Sequence, residues 1–167
     1  MLKSIIVDDE IKSSESLSIL LRDFCEGVDV VATCQKVDEA FQVIKAHKPD
    51  VVFLDIHMQR ETGFDLLERF DQVNFSIIFI TAYSEYAIKA FKFSAVDYLL
   101  KPVDVEELRA SVARVRQTLK RDITEKLEQL AHNLKPNSPQ MYRLALPLSD
   151  GLFFIKVSEV LYCEADS

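Results

Sequence analysis

Residues 51–55 read Val-Val-Phe-Leu-Asp, a short apolar run that ends on a carboxylate. The run is continuous rather than alternating and rich in β-branched residues, which favours a strand covered on both faces. Four similar runs occur at residues 4–7, 28–33, 77–80 and 96–100. Because strands buried on both faces are typical of α/β proteins, the five runs predict a parallel sheet.

Helical patterns separate and follow these runs. Apolar residues recur at spacings of three and four in four segments: Leu17, Leu20, Leu21 and Phe24; Val37, Ala40, Phe41 and Ile44; Phe64, Leu67 and Phe70; and Ala87, Ile88 and Phe91. A fifth helix is predicted to begin at Asp104, because Glu107 follows three residues later, as in a capping box. The alternation predicts a doubly wound α/β domain with right-handed crossovers and helices on both faces of the sheet.

The fifth helical pattern is longer than one domain can cover. Its apolar stripe consists of Leu108, Val112, Val115, Leu119, Ile123, Leu127, Leu130 and Leu134, with no Gly or Pro before Pro136. Two interpretations stay open. The helix either lies on its own domain or extends as a signalling helix that pairs with a partner chain.

A linker and a β segment follow this helix. Residues 135–139, Lys-Pro-Asn-Ser-Pro, end any helix. Residues 142–148 and 152–157 flank a predicted turn at 149–151, which indicates a hairpin, and residues 160–163 predict another short strand. So short a segment cannot enclose its own core, so we expect a truncated second domain or packing on something else. The predicted parts are therefore the α/β domain at 1–120, the extended helix and linker at 121–138, and the short β segment at 139–167.

Composition limits the function classes. The chain has 167 residues, 49% of them hydrophobic and 28% charged, with a formal net charge of -7. These values indicate a globular protein of about one domain and exclude a large multidomain enzyme. The acidic balance makes the chain as a whole a poor electrostatic partner for nucleic acid.

The cysteines and the termini indicate the compartment. Cys25, Cys34 and Cys163 form no CxxC motif, and we interpret all three as core or partly buried thiols of a reducing cytosol. Acidic residues follow the start too soon for a signal peptide, and no apolar run reaches the length of a membrane span. We expect a cytoplasmic protein with no membrane contact.

Polar side chains follow four of the predicted strands. Asp8 and Asp9 follow the first, Asp55 the third, Thr81 the fourth and Lys101 the fifth. In an open parallel sheet these positions lie at one edge, where ligands bind. Three neighbouring carboxylates need a compensating cation, and an oxygen-only set suits Mg²⁺ or Mn²⁺.

Each of these residues also has a purely structural interpretation. Asp8 and Asp9 could face a helix N-terminus, Asp55 could cap a loop, Thr81 could cap a helix, and Lys101 could be a solvated strand end. Their joint occurrence after the strands favours one site over four separate coincidences.

The motifs resemble the receiver domain of two-component response regulators. The resemblance is carried by Val7-Asp8-Asp9-Glu10, Phe53-Leu54-Asp55-Ile56-His57-Met58 with Gly63, Thr81-Ala82-Tyr83, and Asp97-Tyr98-Leu99-Leu100-Lys101-Pro102. It covers about residues 1–120. It implies a flavodoxin-like five-stranded sheet of order 2-1-3-4-5.

The resemblance also implies a phosphoacceptor site. Asp55 would accept a phosphoryl group from a histidine kinase, as a carboxylate nucleophile. Asp9, Asp55 and the backbone carbonyl of His57 would bind Mg²⁺, and Asp8 would act through a bound water. Such a protein is not a classical enzyme, although it catalyses its own phosphorylation and dephosphorylation.

The same resemblance implies a switch. Lys101 would pair with a phosphoryl oxygen, and Thr81 would donate its hydroxyl to another oxygen and draw its loop inward. Tyr98 would turn inward with it, or would simply be a half-buried strand tyrosine. The readout surface would be the fourth helix, fifth strand and fifth helix, and would include Tyr86, Lys89, Ala90, Lys92 and Asp97. Dimerisation through this surface and the extended helix is expected, against the alternative of a solvated face.

Three local details accompany the resemblance. Gln59 stands where receivers commonly have proline, so we expect a more mobile loop and altered kinetics. The peptide bond before Pro102 is one that is often cis in this family. His57 and Tyr83 line the mouth of the site, where side chains tune the lifetime of the phosphate.

The tail, residues 142–166, resembles the opening of a LytTR-type DNA-binding domain. That family contacts DNA through loops that would lie beyond Ser167, so no DNA-binding residue is assigned within these residues. The resulting expectation is a response regulator that controls transcription. Two alternatives are a Mg²⁺-dependent phosphohydrolase of the haloacid-dehalogenase type, which would need an acid where His57 stands, and an interaction module with a vestigial site.

Overall fold

The computed structural model describes residues 1–134, 143–148 and 151–156. The predicted linker at 135–139, the predicted strand at 160–163 and Cys163 lie outside the described residues. In chain order the elements are β1 (Leu2–Val7), α1 (Ile11–Phe24), β2 (Val28–Cys34), α2 (Val37–His47), β3 (Val51–Leu54), α3 (Gly63–Glu68), β4 (Ser76–Thr81), α4 (Ala87–Lys92), β5 (Asp97–Leu100), α5 (Val105–Leu134), β6 (Arg143–Leu148) and β7 (Gly151–Lys156).

The first five strands form one sheet of order β2-β1-β3-β4-β5, and every neighbouring pair is parallel. The doubly wound, flavodoxin-like fold predicted from the sequence is confirmed. All five apolar runs become strands, and the run at residues 51–54 is β3 without any shift of its bounds.

Successive residues of the central strands face opposite layers of helices. Val52 and Leu54 of β3 belong to a core cluster shared with α2, α3 and α4. Val51 and Phe53 belong to a second cluster, shared with α1 and α5. All four side chains are at most 1% exposed, which explains why the run contains no polar alternation.

Two helix boundaries refine the sequence-based expectations. The Asp104 carboxylate accepts the backbone N–H groups of Glu106 and Glu107 at 2.9 and 3.0 Å, so the predicted cap of α5 is present. The third helix is shorter than its apolar pattern, since α3 ends at Glu68. Phe70 lies past that end but still packs, half-buried, against the first core cluster.

The α5 helix is continuous over 30 residues, as its long stripe predicts. Leu108, Val112 and Val115 are buried, whereas Ile123 and Leu127 are each 60% exposed. The chain divides into two compact units at the same region of the helix, Met1–Leu119 and Lys120–Ser167. The stripe therefore serves the core of the first unit only in its N-terminal half.

The second unit contains a β-hairpin. Strands β6 and β7 pair antiparallel, with a register that runs from Arg143 opposite Lys156 to Leu148 opposite Gly151. The predicted hairpin is present over these residues. No helix in the described part of the chain has the length and apolar character needed to cross a membrane.

Cys25 and Cys34 are buried free thiols, as expected. Burial, reinforced by the nearby charge of Glu39, raises the pKa of Cys34 to about 12. Burial also raises the pKa of Cys25. Both side chains therefore stay neutral at physiological pH and act as small core residues.

We predict that substitutions of two leucines of α5 differ strongly in their effect on stability. Leu108→Ala should lower the free energy of unfolding by about 2–5 kcal/mol, because it empties a fully buried position. Leu127→Ala, at an exposed position of the same helix, should change it by less than about 0.5 kcal/mol. Urea denaturation of the unphosphorylated protein, followed by circular dichroism, measures both. Equal effects would show that the stripe packs in the same way along its length.

Candidate phosphoacceptor site

Backbone hydrogen bonds align the ends of the strands that carry the predicted site residues. The Asp8 N–H donates to the Cys34 carbonyl at 3.0 Å, and the Asp55 N–H donates to the Val7 carbonyl at 2.8 Å. The Lys101 N–H donates to the Thr81 carbonyl at 2.8 Å. Asp8, Asp55 and Lys101 are thereby held one residue past the end of their strands, at the same edge of the sheet.

The three predicted acids do come together. Each of Asp8, Asp9 and Asp55 offers a carboxylate oxygen, and these oxygens lie within 4.8 Å of one another. Asp8 and Asp55 are buried, and Asp9 is half-buried. All three residues offer hard oxygen atoms, which are the ligands that cations such as Mg²⁺ prefer, so the cluster could bind a cation.

The Asp8 carboxylate is already engaged within the chain. Its Oδ1 accepts the Glu10 N–H at 2.9 Å, and its Oδ2 accepts the Ser13 hydroxyl at 2.6 Å. Lys101 is a further partner of Oδ2. Because three donors already contact the Asp8 carboxylate, an indirect role through water suits it better than direct metal ligation.

Lys101 bridges two of the acids. Its Nζ lies 2.8 Å from Asp8 Oδ2 and 2.6 Å from Asp55 Oδ2. Burial lowers the pKa of Lys101, but the hydrogen bonds and charges of Asp55 and Asp8 outweigh it, so the pKa is raised overall. The side chain is therefore cationic at neutral pH and compensates part of the negative charge of the cluster.

Thr81 lies at the end of β4 with its side chain fully buried. Among the described residues its Oγ1 has no hydrogen-bond partner. A buried hydroxyl left unpaired costs about 1–3 kcal/mol, so such a group calls for an explanation such as a functional role, a water molecule or an ion. The Thr81 hydroxyl could donate to an acceptor at this edge of the sheet.

The loop after Asp55 approaches the site closely. The His57 N–H donates to Asp55 Oδ1 at 3.1 Å and orients the carboxylate. Gly63, at the start of α3, donates its N–H to the Ile56 carbonyl at 2.9 Å. A Cβ on Gly63 would lie 2.4 Å from the Asp55 carbonyl oxygen, so only glycine fits.

Aromatic side chains line the mouth of the site. The rings of His57 and Tyr83 lie 4.3 Å apart, and the ring of Tyr86 lies 5.2 Å from His57. Tyr98 is half-buried, and its hydroxyl donates a short hydrogen bond to the Tyr83 carbonyl. Burial raises the pKa of Tyr98, reinforced by the charge of Glu85, so this hydroxyl is a neutral donor.

The predicted readout surface needs correction at Ala90, which is only 2% exposed and belongs to the core. Two other members are committed to contacts within the chain. Lys89 Nζ lies 4.2 Å above the centre of the Phe64 ring, and the Asp97 carboxylate binds Ser111 and Arg114. Tyr86 is half-buried, and Lys92 is exposed.

Several contacts around the site were not anticipated from the sequence. Thr62 and Asp65 form a reciprocal capping box at the start of α3, a pattern of Thr and an acid three residues apart that could have been found. Arg69 forms ion pairs with Asp38 and Glu61, which no local pattern indicates. The peptide bond between Lys101 and Pro102 is cis, as the motif suggested.

A five-stranded sheet of this order, with an acid cluster, a hydroxyl and a lysine at its carboxyl edge, defines a flavodoxin-like receiver domain. Residues 5–113 match the family model of the response regulator receiver domain, and the chain belongs to this family. Receiver domains of response regulators are phosphoacceptors that histidine kinases phosphorylate.

Curated relatives extend the similarity into the second unit. The sensory transduction protein LytT of Bacillus cereus is 33% identical over 168 residues, which cover 97% of this chain and 65% of LytT. The transcriptional regulatory protein BtsR of Escherichia coli is 41% identical over 118 residues, or 70% of this chain and 49% of BtsR. The chain thus spans 65% or less of the length of these two relatives.

Solved structures share the receiver fold. The REC domain of AraT, a response regulator from Geobacillus stearothermophilus, has a TM-score of 0.64 and 34% identity, over 72% of this chain and 97% of that domain. The receiver domain of a Luxo repressor protein from Vibrio parahaemolyticus has a TM-score of 0.66 and 25% identity, over 74% of this chain and 97% of that domain.

We predict that Gly63→Ala disturbs the site, because the new methyl group must displace the Asp55 backbone or the Leu54 side chain. The expected cost is about 1–3 kcal/mol in the free energy of unfolding, together with weaker Mg²⁺ binding. Urea denaturation and calorimetric Mg²⁺ titration measure the two effects. Gln59→Ala, at an exposed position of the same loop, is the control and should stay within about 0.5 kcal/mol. A stable Gly63→Ala protein with unchanged Mg²⁺ affinity would contradict the close approach.

Proposed function

We propose that this chain is the input part of a response regulator of a two-component system, in which Asp55 accepts a phosphoryl group from a sensor histidine kinase. The observation that carries the proposal is the Lys101 ammonium held between Asp8 and Asp55. The buried hydroxyl of Thr81 lies at the same edge and has no hydrogen-bond partner in the part of the chain that the structure describes. Asp55 would supply the nucleophile, and Lys101 and Thr81 would supply a cation and a hydrogen-bond donor for the phosphoryl oxygens.

The donor set of the site fits Mg²⁺. Asp9, Asp55 and the backbone carbonyl of His57 would hold the ion, and Asp8 would contribute through a water molecule. The Asp9 carboxylate is half-buried and offers an oxygen within 4.8 Å of oxygens of Asp8 and Asp55, so it could bind a metal together with Asp55. The ion would offset the charge of the phosphoryl oxygens during transfer.

The residues around Asp55 divide the work of transfer. An oxygen of the Asp55 carboxylate forms the new bond to phosphorus while the bond from phosphorus to the histidine nitrogen breaks, and the leaving histidine retains the electron pair. The His57 N–H and the Lys101 ammonium hold the carboxylate in place before the reaction. After it, Lys101 pairs with a phosphoryl oxygen. Water later hydrolyses the aspartyl phosphate, so the domain catalyses both its own phosphorylation and its own dephosphorylation.

The proposed switch begins at the hydroxyl of Thr81. When a phosphoryl oxygen becomes available, Thr81 donates to it and shifts the loop that follows β4. Tyr98 is tied to this loop through the Tyr83 carbonyl, so movement of the loop reaches β5. One new charge therefore biases a two-state element and changes a distant surface.

The output would be transcription control through a LytTR-type DNA-binding domain. Support comes from the tail motifs, the β6–β7 hairpin and the similarity to LytT over 97% of the chain. In this proposal residues 1–120 are the receiver domain, 121–138 are the extended helix and linker, and 139–167 begin the DNA-binding domain. Contact with DNA would be made beyond Ser167.

We also propose a homodimer as the active form. It would use the surface of α4, β5 and α5, with Lys92 and Tyr86 as members, and the exposed stripe of α5. Ile123 and Leu127 leave apolar area exposed, and pairing with a second helix would bury it.

Phosphorylation of Asp55 can be tested directly. With Mg²⁺ and a small phosphodonor, the intact mass should increase by one phosphoryl group, and a chelator should abolish the increase. Asp55→Asn should show no increase, whereas Asp23→Asn, at an exposed position of α1, should behave as wild type. A wild-type protein that gains no phosphoryl group would refute the proposed function.

Dimerisation can be tested by light scattering. The phosphorylated protein should shift from the mass of a monomer toward that of a dimer. Leu127→Glu should prevent the shift because it places a charge in the apolar stripe, whereas Arg121→Gln, with the same change in net charge, should not. The same monomer before and after phosphorylation would contradict the dimer.

A further inference from the structure

The β3–α3 loop, residues 55–62, connects the phosphoacceptor to α3. Its sequence, Asp-Ile-His-Met-Gln-Arg-Glu-Thr, contains no proline that would restrict the backbone. Within the loop, the Met58 N–H donates to the Glu61 carbonyl at 3.3 Å, and His57 and Thr62 form an isolated antiparallel bridge. These bonds close the outer part of the loop on itself, while the buried side chain of Ile56 and the ring of His57 against Tyr83 fasten its inner part to the domain.

An open cleft of about 430 Å³ lies between this loop and the chain segment between β2 and α2. Its lining includes Gln35, Lys36 and Asp38 on one side and Gln59, Arg60 and Glu61 on the other. Because the cleft separates the two segments, side-chain packing gives the outer part of the loop little support there.

Arg69, the first residue after α3, forms ion pairs with one residue on each side of the cleft. One guanidinium nitrogen lies 2.5 Å from Asp38 Oδ1, and another lies 2.5 Å from Glu61 Oε1. Only Glu61 belongs to the loop, whereas Asp38 lies in the first turn of α2. A planar guanidinium can donate in two fixed directions at once, so a single arginine side chain connects α2 and the loop.

The contact at Glu61 is connected to Asp55 by a short series of bonds. The Glu61 carbonyl holds the Met58 N–H, and Met58 adjoins His57. The His57 N–H in turn donates to Asp55 Oδ1. A displacement of Glu61 would therefore reach the carboxylate that accepts the phosphoryl group and the carbonyl assigned to the metal.

We infer that Arg69 is a positioning residue for the phosphoacceptor: by pairing with Asp38 and Glu61 it fixes the β3–α3 loop and thereby the metal site at Asp55. The inference rests on the proposed function for its link to phosphorylation. The predicted effect of Arg69 on metal affinity does not depend on phosphorylation.

The test compares Arg69→Gln with Arg22→Gln. Arg22 also pairs with an acid, Asp23, but lies on the exposed side of α1 and contacts nothing in the site. Calorimetric titration with Mg²⁺ alone gives the metal affinity, and the Mg²⁺ concentration for half-maximal phosphorylation by a small phosphodonor gives the functional counterpart. Exposed ion pairs are weak, so Arg69→Gln should raise the Mg²⁺ dissociation constant and the half-maximal Mg²⁺ concentration by about two- to fivefold. Arg22→Gln should leave both unchanged.

A double-mutant cycle separates positioning from general stability. Glu61→Gln should raise the Mg²⁺ dissociation constant and the half-maximal Mg²⁺ concentration as Arg69→Gln does. The double variant should be no worse than either single variant, because both substitutions break the contact between Arg69 and Glu61. Arg69→Lys should restore part of the affinity, since one of the two pairs can still form. A purely structural role would lower the melting temperature without shifting the Mg²⁺ constants.

Three results would overturn the inference: unchanged Mg²⁺ constants in Arg69→Gln, an equal change in Arg22→Gln, or additive effects of Arg69→Gln and Glu61→Gln. The proposed function fails differently, through a wild-type protein that binds Mg²⁺ but is never phosphorylated. In that event the Mg²⁺ titrations of the variants still decide the role of Arg69.

Discussion

The ion pair of Lys101 with Asp8 and Asp55 is the interaction on which the site depends. Carboxylates gathered at a buried sheet edge repel one another and lose hydration, and an uncompensated buried charge costs several kcal/mol. Lys101 offsets this cost from a distant part of the sequence, since it lies 46 residues from Asp55 and 93 from Asp8. The remaining negative charge, on Asp9 and Asp55, would attract a divalent cation.

This arrangement is a consequence of the sheet. Parallel strands end at one edge, and the order β2-β1-β3-β4-β5 places β1 and β3 side by side at its centre. Strands β3 and β4 are buried along their whole length, and β1 is buried except at Lys3, so reactive side chains can appear on these strands only where they end. The core thus fixes the acids, Thr81 and Lys101, and the loops that carry His57 and Tyr83 lie beside them. In the proposed switch, these loops would respond to a phosphoryl group on Asp55.

Sequence reasoning reached the parts of this structure that depend on local pattern. The apolar run at 51–54, the cap at Asp104 and the set of polar residues after the strands were all visible, because periodicity and strand ends are local properties. Ala90 was misplaced on the surface because a short α4 has too few residues to show which face is buried. The partners of Arg69 and the bond from Tyr98 to the Tyr83 carbonyl depend on which loops meet in space, and no spacing in the sequence encodes that.

The proposed site at the sheet edge is a metal-dependent phosphoacceptor site built around Asp55. A crystal structure of the protein with Mn²⁺, in which anomalous scattering locates the ion, tests it. One strong peak is expected within about 2.0–2.6 Å of carboxylate oxygens of both Asp9 and Asp55. A peak at another place, or an intact acid cluster without a peak at millimolar Mn²⁺, would contradict it.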